Sequence, residues 1–156
     1  MKAGYKVSTS AAVALSAGVA KTALMVLTPA QFGGDLLSAT VSFDGVTATA
    51  VPVLCELVTS TNATNSTPGT ANTLETVVQA YGRTITPGFT AFSASTSEPT
   101  VLTVLERFLL TPNGGLYPHD IPFPTTPDWA VSAGIGFRLT APAAVNARLS
   151  MGFERC

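Results

Sequence analysis

The fold is decided near the C-terminal end by two runs of sequence, GIGFRLT at residues 134–140 and VNARLSMGF at residues 145–153. In the second run apolar side chains alternate with polar or small ones, so that Val145, Leu149 and Phe153 share one face of an extended chain. This period of two is typical of a strand with one buried face. We therefore predict that the second run lies in the middle of a sheet and that its removal unfolds the domain.

The composition indicates a single all-β domain over residues 1–156. Only 11% of the residues are charged, against roughly 25% in ordinary soluble domains. The chain has 23 Thr but only three Lys, and threonine and valine favour the pleated, half-buried surface of a sheet. Because a surface so poor in charge favours association, we expect much of it to be covered in an assembly. The alternative is a neutral, threonine-coated monomer.

Further runs of extended character precede the two C-terminal ones, with turn residues between them. The predicted strands are residues 21–28, 36–43, 51–59, 77–85 and 100–111, with a short strand or arm at 5–10 and an irregular segment at 89–99. Residues 100–111 also fit one face of a helix, but their β-branched members favour a strand. About eight short strands of this kind predict an antiparallel β-sandwich, of which the jelly roll is one version.

Three segments are predicted to lie outside the regular strands. Residues 1–20 form a candidate N-terminal arm, within which the pattern of 11–20 favours strand and turn over a helix. Residues 60–73 are rich in Thr and Asn and cannot bury enough apolar area to offset the entropy of ordering, so we expect a flexible loop. Residues 117–129 carry four prolines and are predicted to form an extended arm. Its candidate interface residues are Tyr117, Pro118, Phe123 and Trp129, and a place in the core is an equal alternative for Trp129.

The run at residues 51–59 contains an acidic residue and one of the two cysteines. It is apolar on both faces, which predicts a central strand covered on both sides, or an interface. Glu56 interrupts this pattern, and we interpret it as a carboxylate paired with an arginine or placed at a wet rim rather than as a catalytic group. Cys55 is expected to be a small buried hydrophobe. A disulfide between Cys55 and Cys156 is the less favoured alternative, and two cysteines at this distance do not have metal-site spacing.

The sequence contains no motif that predicts catalysis, and we assign no catalytic, cofactor-binding or metal-binding residue. The one histidine, His119, stands beside Asp120, but adjacent residues point apart in an extended chain and there is no Gly-x-Ser-x-Gly motif. The sequence has no cluster of Lys or Arg, so a nucleic-acid partner is not predicted. No apolar run reaches the roughly 18 residues of a membrane span. Residues 11–20 superficially resemble a signal peptide but are weakly apolar, so we interpret them as mature sequence.

Four blocks resemble small virion proteins of tailed bacteriophages, especially those of actinobacteria. The blocks are AKTAL at residues 20–24, VSFDGVTAT at 41–49, VPVLCEL at 51–57, and RLTAPAAVN at 138–146 followed by Phe153 and Glu154. The resemblance implies a β-sandwich that decorates the outer capsid surface, often as a trimer, with the major capsid protein and further copies of itself as partners. It also admits a minor capsid protein, or a minor tail or receptor-binding module. A secreted hydrolase or lectin-like domain using His119 and Asp120 is a third hypothesis.

Overall fold

The computed structural model describes residues 3–44, 51–61, 72–99, 101–113, 116–122 and 125–156, and the structural statements below concern these residues. They form thirteen strands. In chain order these are β1 (Gly4–Ser8), β2 (Val13–Leu15), β3 (Ala20–Leu27), β4 (Gly34–Phe43), β5 (Val53–Thr61), β6 (Thr73–Glu75), β7 (Val78–Tyr81), β8 (Thr90–Ser93), β9 (Leu102–Leu110), β10 (Leu116–Asp120), β11 (Asp128–Trp129), β12 (Ala133–Thr140) and β13 (Val145–Arg155).

The strands form two antiparallel sheets that pack face to face as a sandwich, which confirms the predicted fold class. The seven-stranded sheet has the order β10-β4-β13-β1-β7, with β11 also pairing with β4 and β2 with β13. The six-stranded sheet has the order β6-β8-β3-β12-β5-β9. Strand β13 therefore lies between β4 and β1, so the prediction that the C-terminal run occupies the middle of a sheet is confirmed.

The main core lies between the two sheets and includes a cluster of aromatic rings. Phe153 on β13 is fully buried, and its ring centroid lies 4.7 Å from that of Phe89, 6.1 Å from that of Trp129 and 6.2 Å from that of Tyr5. Edge-to-face and tilted arrangements such as these are the favoured geometries of aromatic pairs. The last strand thus supplies the residue on which rings from several parts of the chain meet.

A second apolar cluster, called here the outer cluster, lies on the other face of the six-stranded sheet. It consists of the buried residues Met25, Leu27, Val58 and Phe92, with Leu102 and Val104 packed against them. Leu24 and Val26, which alternate with Met25 and Leu27 along β3, belong to the main core, as the period of a strand requires. The six-stranded sheet is therefore apolar on both faces, whereas a sandwich sheet commonly has one solvated face.

Glycines in β12 make room for the outer cluster. A Cβ at Gly136 would stand 2.2 Å from the carbonyl oxygen of Leu24, and one at Gly134 would stand 2.7 Å from Cδ2 of Leu27 and 3.0 Å from Sδ of Met25. Distances of this size are well below van der Waals contact. A Cβ at Gly136 would therefore displace the backbone of β3, whereas one at Gly134 would require the ends of neighbouring side chains to shift. The alternation of glycine with Ile135 and Phe137 is thus an adaptation to close packing on one face of β12.

The structure contains more strands than the eight predicted, because several are too short to show alternation in the sequence. Strands β2, β6 and β11 have two or three residues each. The N-terminal segment forms the two strands β1 and β2. Strand β1 pairs with both β13 and β7, and β2 pairs with β13. The segment at 89–99, predicted as irregular, contains β8. Parts of the predicted arm at 117–129 form β10 and β11, both paired with β4. Residues 62–71 of the predicted flexible loop lie outside the described residues.

Candidate functional site

Strand β9 forms one edge of the six-stranded sheet and is the longest edge strand of the sandwich. It has nine residues and, among the described residues, pairs only with β5. Residues Thr103, Leu105, Glu106, Arg107 and Leu109 are exposed, and the other four are only half-buried. A register shift at Leu57 and Val58 marks an irregularity near the middle of the ladder. The backbone groups on the far side of β9, called here the β9 edge, therefore pair with no further strand among the described residues.

Exposed leucines accompany the β9 edge. Leu105 and Leu109 are 46% and 64% exposed. Leu109 lies directly opposite the half-buried Leu54 of β5, and Val101, just before the strand, is also exposed. Single exposed apolar residues are ordinary on a protein surface, but a group of them beside an open strand edge is the kind of surface that marks an interaction site.

The charges near this edge form a cluster around Glu56, called here the Glu56 cluster. The Glu56 carboxylate accepts a hydrogen bond from Nε of Arg107 at 2.8 Å on one oxygen and contacts Arg138 at 2.7 Å on the other. The Glu56 side chain is 6% exposed, whereas that of Arg107 is 63% exposed. Burial acts to raise the pKa of Glu56, but the hydrogen bonds and charges of the two arginines outweigh it and hold that pKa below its ordinary value. The prediction that Glu56 pairs with an arginine is confirmed.

Two of the predicted interface residues lie on β10, at the edge of the opposite sheet. Tyr117 is half-buried, and its ring stacks on Phe108 of β9 with centroids 4.5 Å apart, so the ring pair connects the edges of the two sheets. Burial is the largest of the effects that raise the pKa of the Tyr117 phenol, and the nearby negative charge of Glu106 raises it further. Pro118 is exposed and faces Thr40 of β4. Because proline cannot donate a backbone hydrogen bond, it limits the capacity of β10 to accept another strand.

The other two predicted interface residues differ in position. Trp129 is 3% exposed and lies among the aromatic rings of the main core. Of the two positions that the sequence allowed for it, core and interface, the structure therefore places it in the core. Its Nε1 has no hydrogen-bond partner among the described residues. Phe123 lies outside the described residues. An interface role for Tyr117, Pro118 and Phe123 stays a prediction.

A cleft beside Trp129 is one of several hollows in the described part of the chain. It is lined by hydroxyl-bearing residues of β5 and β9 together with Asp128 and Trp129, and its volume is about 210 Å³. Ligand pockets usually measure roughly 300–1,000 Å³ and enclose most of the ligand. The cleft is smaller than that range and open, so its geometry is that of a surface depression.

The buried carboxylates support the fold. Glu75 accepts hydrogen bonds from the backbone N–H of Ser10 at 3.0 Å and from the Ser93 hydroxyl at 2.5 Å, and so connects the two sheets. Within residues 3–44, 51–61, 72–99, 101–113, 116–122 and 125–156, no three His, Cys, Asp or Glu side chains lie close enough to hold a metal ion. The side chain of His119 lies outside the described part, so the His119–Asp120 hypothesis is not tested. Cys55 and Cys156 do not form a disulfide; Cys55 is buried, as predicted, and Cys156 is exposed.

The outer face of the seven-stranded sheet has a different character from the β9 edge. The hydroxyls of Thr40 on β4 and Ser150 on β13 lie opposite each other at 2.5 Å, and the Ser42 hydroxyl donates to the backbone carbonyl of Arg148. These residues alternate with the core residues Val41 and Leu149. The hydroxyls are therefore partly satisfied within the sheet, whereas the leucines beside β9 are exposed to water.

The sequence pattern did not identify β9 as an edge. Alternation and composition report which faces of a strand are apolar, but they do not report which strand is its neighbour. The neighbouring acidic and basic residues Glu106 and Arg107 were the one available signal, because charges are frequent on edge strands.

Comparisons with known proteins do not assign this chain to a family. No protein-family model, no curated protein and no solved structure matches it. In the described part of the chain there is no helix of the length and hydropathy that a membrane span requires.

Proposed function

We propose that this chain is a structural virion protein, a decoration or minor capsid protein that binds the outside of a tailed-phage head as an oligomer. The observation that carries the proposal is the β9 edge with its exposed leucines, on a chain in which only 11% of the residues are charged. A surface of this kind is suited to burial against other protein. The resemblance of the four sequence blocks points in the same direction.

The sandwich would serve as a rigid support for these contacts. Strand β13, in the middle of its sheet, pairs with β4 over nine registered residue pairs and with β1 over five. Surfaces built on such strands keep their shape when they bind, so little ordering entropy opposes association. The partners in this proposal are the major capsid protein and further copies of the chain.

Stabilisation of the shell would follow from mass action. A protein that binds the assembled shell and not the open one favours the assembled form by its differential affinity, without any chemical step. Several weak contacts within one oligomer add through their effective concentration on a repeating lattice. The role proposed here is therefore structural rather than catalytic.

The proposal is tested on particles of the phage that encodes this chain. Heads are separated from tails, and both fractions are examined by mass spectrometry and by cryo-electron microscopy. We expect the chain in the head fraction, with sandwich-shaped density on the outer capsid surface. Detection in tails alone would refute the proposal and favour the minor tail or receptor-binding hypothesis. Absence from both fractions would refute both.

A further inference from the structure

We propose that two copies of this chain associate through β9, with the two β9 strands antiparallel and the two six-stranded sheets joined into one. This inference deepens the proposed function, since it names the surface through which copies meet. Its test uses the purified chain alone, so that a failure of self-association is distinguishable from absence of the protein in virions.

The first argument is the backbone of the β9 edge. An edge strand presents a row of N–H and C=O groups, and natural proteins protect such rows by short length, proline, charge, β-bulges or cover. Strand β9 has the charged pair Glu106 and Arg107 and one irregularity in its ladder with β5. Strand β9 has nine residues, none of them proline, and five of its residues are exposed. In the described part of the chain its backbone pairs with β5 on one side and with no strand on the other. A further strand along the other side would pair these backbone groups and cover the neighbouring side chains.

The second argument is the choice of occupant. The other edge strands of the two sheets are β10 with five residues, β7 with four and β6 with three. Strand β10 also contains Pro118, which cannot donate to a ladder. Among the edges described, only β9 itself is long enough to cover β9. Pairing of identical strands is an isologous contact, which a twofold axis closes into a dimer, and twofold dimers are the commonest oligomers.

The third argument is the charge and polarity of the strand. Glu106 and Arg107 cancel within β9, and Arg107 is held by Glu56 on the neighbouring strand. The strand itself therefore presents no net charge to a second copy. Leu105 and Leu109, both exposed in the single chain, are brought close to the second copy by the pairing. Burial of such side chains adds an apolar contribution to the backbone pairing.

The experiment measures the mass of the purified chain by analytical ultracentrifugation over a range of concentrations. The wild-type chain is expected to form dimers. The double variant Leu105→Lys with Leu109→Lys places two like charges beside the edge, and is expected to raise the dimer dissociation constant by about tenfold or more. Both positions are exposed, so the fold is expected to tolerate lysine, and circular dichroism with thermal unfolding verifies this.

The matched control is the double variant Leu74→Lys with Leu116→Lys, which adds the same charge at β6 and β10. These leucines are similarly exposed, at 67% and 64%, and the control is expected to dimerise like the wild type. Hydrogen exchange adds a second readout, since β9 amides that point away from β5 gain protection only in the dimer. A monomeric or trimeric wild type, equal weakening by both double variants, or β9 amides that gain no protection in the dimer would each overturn the inference.

Discussion

Truncation of Phe153 tests whether the C-terminal strand organises the core. Phe153→Ala removes a fully buried ring that contacts the rings of Tyr5, Phe89 and Trp129. Large-to-small changes of buried phenylalanine cost about 3–5 kcal/mol. The aromatic pairs, each worth about 0.5–1.5 kcal/mol beyond area, place the expected loss near the upper end. Because domains of this size have unfolding free energies of about 5–15 kcal/mol, the variant should lose a large fraction of its stability.

The measurement is urea unfolding followed by the fluorescence of Trp129, the single tryptophan, whose ring lies beside Phe153. The control is Phe32→Ala, because Phe32 is half-buried and its ring lies 3.8 Å from the Arg155 guanidinium at the rim. We expect a loss of about 1–2 kcal/mol there, from partial burial and the cation–π contact. A loss at Phe153 below about 1.5 kcal/mol, or no greater than at Phe32, would refute the reasoning.

Three further predictions concern charge, packing and thiol chemistry. The pKa of Glu56 is lowered from 4.5 in the folded chain, so the stability it contributes is present at neutral pH and is lost as pH falls through that lowered pKa. Glu56→Gln should therefore lower the unfolding free energy by about 2 kcal/mol at pH 7, a value that allows for the exposure of Arg107. The variant should also flatten the acid limb of the stability–pH profile, and an unchanged acid limb would contradict this. Gly136→Ala should destabilise by about 3 kcal/mol or more in chemical unfolding, because its Cβ would meet a backbone carbonyl at 2.2 Å, and a neutral effect would show that β3 can move. Burial raises the pKa of the Cys55 thiol to about 12, so a thiol reagent should label only Cys156 rapidly in the native chain, and fast labelling of both would argue against the burial.

The parts of the fold that could be predicted from the sequence are those where one strand carries a complete pattern. Strand β13 alternates from Val145 to Glu154, and it lies in the middle of a sheet as predicted. Strand β5 is apolar on both faces and lies between β12 and β9. Its one acidic residue, Glu56, could be assigned an arginine partner because a buried carboxylate without one would be costly.

The parts that could not be predicted depend on contacts between distant segments. Strand β1 is held between β13 and β7, although five residues carry too little alternation to distinguish a strand from an arm. The outer cluster requires the glycines of β12, and a glycine in a sequence pattern does not report which side chain will occupy the space it leaves. The prolines of residues 117–129 predict an extended arm. Pro118 is nevertheless accommodated in a strand at a sheet edge, where the lack of a backbone N–H donor has little cost.

A comparison of β5 with β9 gives the physical basis for self-association. Both strands are apolar on both faces in sequence, a pattern typical of strands that are covered on both sides. In β5 the requirement is met within the chain, because Val53, Cys55 and Leu57 enter the main core and Val58 enters the outer cluster. In β9 it is met in part, since Phe108 and Leu110 pack against the main core and Leu102 and Val104 against the outer cluster, while Leu105 and Leu109 are exposed. Pairing of β9 with a second copy would place cross-strand neighbours beside Leu105 and Leu109, and so cover part of the apolar surface that the single chain leaves exposed.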